Sequence, residues 1–208
     1  MTAAVHAPLE INTRLLRFAA LILLVLVFPV VLAALGTAVG LLQLPYELWL
    51  VDQRLPVLFR VHMATAGLAL LLVPSAIAIH GLSLHRIVGR TAATLVLAGG
   101  VTALPVALAS EGLWQARAGF LAQAVVWIAL VLAAVRAIRK GNRVRHMWLM
   151  LAVAAVASGA LWLRLASWTV VSWGLSFEAI YALASWLSWM LPLAAIGLLA
   201  RWSRLSKI

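Results

Sequence analysis

Six long apolar runs fill most of this chain, at about 15–42, 57–80, 88–109, 118–137, 146–167 and 177–201. Each reaches the roughly 20 apolar residues that cross about 30 Å of hydrocarbon. In lipid, segments of this length satisfy their backbone groups only as helices, because barrel strands would be about ten alternating residues each. A soluble domain of 208 residues that is 66% hydrophobic and 10% charged could not hide so much apolar surface. The sequence therefore predicts an all-α polytopic transmembrane bundle of six helices, a single domain over residues 1–208. Arg14 and Arg17 precede the first run as in a signal peptide, but that run exceeds the roughly 7–15 residues of an h-region, so it reads as a transmembrane helix.

Lysine and arginine set the threading. Twelve fall on one side of the predicted bundle: Arg14, Arg17, Arg86, Arg90, Arg136, Arg139, Lys140, Arg143, Arg145, Arg201, Arg204 and Lys207. Four fall on the other: Arg54, Arg60, Arg117 and Arg164. In a bacterial inner membrane the twelve-residue side is cytoplasmic, which puts both termini inside. Glu47, Asp52, Glu111 and Glu178 fall outside and only Glu10 inside. The net charge of +11 does not point to a nucleic-acid partner, because the cations sit at the ends of apolar runs, where lipid headgroups lie. The absence of cysteine excludes disulfides, iron–sulfur clusters and covalent c-type haem.

Pro29, Pro74, Pro105 and Pro192 lie within runs and remove backbone donors there. Gly89, Ala93, Gly99 and Gly100 in span three, and Ala152, Ala154, Ala155 and Gly159 in span five, are small enough for close helix packing. Trp49, Trp114, Trp168 and Trp173 belong to the outer aromatic belt, Trp148 and Trp202 to the inner one. Trp127, Trp186 and Trp189 lie deeper, where they fill packing space, line a pigment or quinone cleft, or face a partner. The outer connection 43–56 mixes Trp49, Leu50 and Val51 with Glu47, Asp52 and Arg54, a composition suited to a short interfacial helix or a partner-docking surface.

The histidines carry what chemistry the sequence shows. His62 and His80 are 18 residues apart in span two, as are His146 and Arg164 in span five. Eighteen residues make five turns and about 27 Å of rise, so each pair shares a face with its members at opposite membrane ends. His80, His85 and His146 collect at the inner end; His62 and Arg164 lie at the outer end. Imidazoles from facing helices are the axial ligands of b-type haem. His85 or His80, with His146, can clamp haem b near the inner face. The outer pair offers a polar site in which Arg164 would hold a propionate, a lipid phosphate or another anion. A metal held by the three inner histidines is a further option with no carboxylate nearby, and headgroup contact is the alternative throughout. His6 lies in the tail and carries no role.

No Walker A, GxGxxG, GxSxG or HExxH pattern occurs, and no acid occupies a span centre as coupled transport would need. The segments HMATAGLALLLVP from His62, LHRIVGRT around His85 and HMWLMLAVA from His146, with Arg164 downstream, resemble a bacterial family of predicted multi-pass membrane proteins of unknown function. The matching residues are His62, His85, Arg86, Gly89, Arg90, His146 and Arg164, with Trp148 one residue nearer its histidine than the usual spacing; His80 lies outside the pattern. This resemblance covers spans two to five and implies no activity. A four-helix core with histidines at its ends is also similar in architecture to transmembrane b-type cytochromes. The sequence thus predicts a core of spans two to five flanked by spans one and six, which carry no comparable polar groups. The expected function is an accessory or structural subunit of a larger membrane complex, with other membrane subunits and the bilayer as partners. The alternatives are a haem- or quinone-linked electron-transfer protein and, third, an anion transporter using Arg164.

Overall fold

The computed structural model describes residues 13–173 and 177–205. His6, Glu10 and Lys207 lie outside the described residues, as do the side chains of Trp168 and Arg204. The described residues form eight helices: α1 (Thr13–Ala38), α2 (Tyr46–Arg54), α3 (Pro56–Ala78), α4 (His85–Ala109), α5 (Trp114–Arg139), α6 (Arg143–Ala157), α7 (Gly159–Trp173) and α8 (Phe177–Leu205). Six segments are long and apolar enough to cross a membrane, and α6 with the first part of α7 makes one of them.

Local chemistry sets the ends. Gly40 and Gly141 have φ of +74° and close α1 and α5, where the amides of Leu41 and Asn142 reach back five residues to Gly36 and Ala137. Pro56 opens α3, where a missing amide hydrogen costs nothing. Asn142 caps α6 by accepting the Arg145 amide at 2.9 Å. The outer connection contains the short helix α2, as its composition predicts.

Helices α3, α4, α5 and α6 pack each on the next, and α6 packs back on α3, which closes a four-helix ring. Among the described residues, α4 does not pack on α6, nor α3 on α5, so these are the diagonals. Val73, Val96, Val131 and Val153, one from each ring helix, are fully buried. The flanking helices complete the molecule: α1 lies on α3 and α7, and α8 on α5, α6 and α7. They also enter the core, through Val27 and Val31 of α1 and Trp189 of α8.

Close approach uses the small residues unevenly. A Cβ on Gly99 would sit 3.2 Å from the Ala66 backbone, and one on Gly119 would overlap the Ser185 hydroxyl. A Cβ on Gly89 would meet nothing within 4 Å, so the space at that position is open.

Span five is interrupted at Ser158, a Ser-Gly break of the kind that bends helices. The Ser158 hydroxyl turns back to the Ala155 carbonyl at 2.7 Å. Gly159 follows because a side chain there would strike Gln123 and Trp189. Two α5 side chains bind carbonyls of α6 just before the break: the Gln123 amide donates to Val156 at 3.0 Å and the Trp127 indole to Val153 at 3.1 Å.

Candidate functional site

Three histidines share one arrangement. His85, in the first turn of α4, is bonded through Nδ1 to the Ala76 carbonyl of α3 at 2.9 Å. His146, in the first turn of α6, is bonded through Nδ1 to the Ala134 carbonyl of α5 at 2.9 Å. His62, in α3, is bonded through Nδ1 to the Gly99 carbonyl of α4 at 3.0 Å. A carbonyl only accepts, so in each case Nδ1 carries the hydrogen and donates it. That fixes the tautomer and the ring, and leaves the Nε2 lone pair for a proton, a hydrogen bond or a metal centre. All three rings are half-buried.

His85 and His146 lie at the same end of the ring on its diagonal helices α4 and α6. This is the end where the cations gather, called here the basic end. His80 sits two residues beyond the end of α3, in an exposed turn, so its five-turn spacing from His62 runs off the helix. Its ring lies edge-on to that of His85 with centroids 6.1 Å apart, and its carbonyl accepts from Arg17 of α1 at 2.9 Å. No group of three histidine or acidic side chains that could hold a metal ion occurs among the described residues, so His80, His85 and His146 do not gather into one.

The opposite end carries all the described acids. His62 and Arg164 belong to α3 and α7, which do not pack together, and the two bond separately. The Arg164 guanidinium donates to the Ala160 carbonyl of its own helix at 3.1 Å and lies within electrostatic reach of Tyr181 on α8. The Ser158 break separates Arg164 from the helix that carries His146. Arg60 grips the buried Asp52 of α2 with two bonds of 3.0 and 3.1 Å, and Arg54 pairs with Glu111 while donating to the Ala109 carbonyl at 3.1 Å. These contacts tie α2 down onto α3 and the α4–α5 turn.

Each of the deep tryptophans donates its indole N–H to a backbone carbonyl. Trp186 donates to the Gln115 carbonyl at 3.0 Å and Trp189 to that of Ser185 at 2.9 Å, in addition to the Trp127 bond. Span six is therefore not featureless, since α8 buries Ser185 and Ser188 as well. Gln123, Tyr181 and Asn142 escaped the reading of the sequence. Asn142 had a signal, an asparagine directly before a helical run; Gln123 and Tyr181 had none, because their partners lie on other helices.

Residues 59–200 match a family described as predicted membrane protein, DUF2306. No curated protein and no solved structure matches the chain.

Proposed function

The chain belongs to the DUF2306 family of predicted membrane proteins, and on that premise we propose that it is a haem b-binding electron-transfer protein of the bacterial inner membrane. The observation that carries the reading is the arrangement that His85 and His146 have in common. Both sit at one end of a four-helix ring, on diagonal helices, with Nδ1–H tied to a backbone carbonyl and Nε2 left to ligate. The donor set suits haem b, since two imidazoles are present and no cysteine is available for covalent attachment. Bound haem supplies one-electron redox chemistry. The residues of the chain hold and orient it: the Ala76 and Ala134 carbonyls fix the two rings, and the neighbouring Arg86 and Arg90 offer cations to propionates. His80, edge-on to His85, is the alternative ligand on that side. By the excess of cations, the basic end faces the cytoplasm and both termini lie inside.

Purified protein from haem-replete cells tests this directly. The reduced-minus-oxidised spectrum is expected to show Soret and α bands, and His146→Ala to abolish them. A colourless preparation that takes up no haem on reconstitution ends the reading. A second reading, an accessory subunit of a larger membrane complex, draws on the exposed apolar face of α8, where Leu191, Leu198 and Trp202 point outward. Isolation in mild detergent as a monodisperse monomer with no co-purifying chain removes it.

A further inference from the structure

Between α6 and the last part of α8, a cleft of about 750 Å³ opens at the basic end. Arg145 and Asn142 lie at its α6 mouth and Ser203 at its α8 rim; Trp148, Leu193 and Gly197 line the depth. The helices run antiparallel here, α6 leaving the basic end and α8 arriving at it. The ten residues from Ser203 back to Leu193 cover about 15 Å of helix. That is half of the roughly 30 Å hydrocarbon thickness, the depth of one leaflet.

The polarity of the cleft follows the same axis. Its mouth lies in the stretch that also carries Arg139, Lys140 and Arg143, and every described acid falls at the opposite end of the molecule. The cap bond from the Arg145 amide to Asn142 fixes the turn from which the Arg145 side chain leaves. Below that turn the walls are apolar. An inorganic anion would fill the mouth and leave the walls bare; a neutral acyl chain would fill the walls and ignore the charge. We propose that the cleft binds an anionic phospholipid of the leaflet at the basic end, its phosphate on Arg145 and an acyl chain along Trp148 and Leu193.

Gly197 makes the proposal testable. A Cβ there would meet no heavy atom within 4 Å, so Gly197→Leu starts a side chain from an open position on the cleft wall. Native mass spectrometry of the detergent-purified protein, titrated with phosphatidylglycerol or phosphatidylcholine, reads the binding. Phosphatidylglycerol is expected to bind at least about fivefold tighter than phosphatidylcholine, the worth of about one interfacial cation, and Arg145→Gln to remove that preference. Gly197→Leu is expected to lose the adduct. Equal binding of the two lipids, or unchanged binding to Gly197→Leu, overturns the assignment. A second readout leaves the mouth and its charge intact: brominated phosphatidylglycerol should quench the wild-type fluorescence more than that of Trp148→Phe, and equal fractional quenching also overturns it.

Discussion

At the acid-bearing end, guanidinium groups meet carboxylates within the protein, Arg60 on Asp52 and Arg54 on Glu111, and α2 is tied across the top. At the basic end no described acid faces the cations, and Arg17 turns to a backbone carbonyl instead. Packing differs in the same sense. Gly119, toward the acid-bearing end, is pressed against Ser185, whereas Gly89 and Gly197, toward the basic end, face open space. One end pairs two of its guanidinium groups with carboxylates of the chain; the other carries the excess of cations, two of the three Nδ1-committed imidazoles and a cleft for ligands that come from outside the chain. Both proposed sites lie at that second end for this physical reason.

The comparison breaks most readily at Gly119. Gly119→Ala is expected to destabilise by about 1–3 kcal/mol, because the new methyl overlaps a hydroxyl held on a packed helix. Unfolding midpoints in one detergent measure it. Gly89→Ala should be neutral or stabilising by up to about 1 kcal/mol, since it gains helix propensity and meets nothing. Equal losses at the two positions would erase the contrast between tight and open ends. The smallest effect is expected at Arg54 and Glu111. Both side chains are about half exposed, so a double-mutant cycle should return about 0.5 kcal/mol of coupling, screened by salt. A coupling several times larger would mean that this pair, and not the packing, fixes that end.

How much of this was legible in the sequence varies with the range of the interaction. The spans needed only local apolarity, and the described helices follow those runs with small shifts at the ends. His80 illustrates such a shift: it closes the predicted second span but sits in the turn beyond Ala78, ahead of Gly81 with its φ of +87°. The fifth span runs over Arg143–Ser167 as its apolarity predicts, with a one-residue turn at Ser158 that the run does not announce. A lone serine and glycine in an apolar run can continue a helix, and here Gln123 and Trp189 of other helices crowd the glycine. His85 and His146 stood out in the sequence as the inner pair. Their carbonyl partners did not, because every residue carries a carbonyl and only packing selects Ala76 and Ala134.

The sequence by itself determined that the chain is a helical membrane protein, how many times it crosses, and which end collects the cations. Those properties depend on the length and polarity of contiguous segments, and the bilayer reads them one segment at a time. Only the tertiary structure decided which helices lie on the diagonals of the ring, which histidine nitrogen is committed to a neighbour, and where a cleft remains open between α6 and α8. These depend on groups far apart in the chain meeting at distances of a few ångströms, and such meetings are set by how side chains of different helices fill the same space.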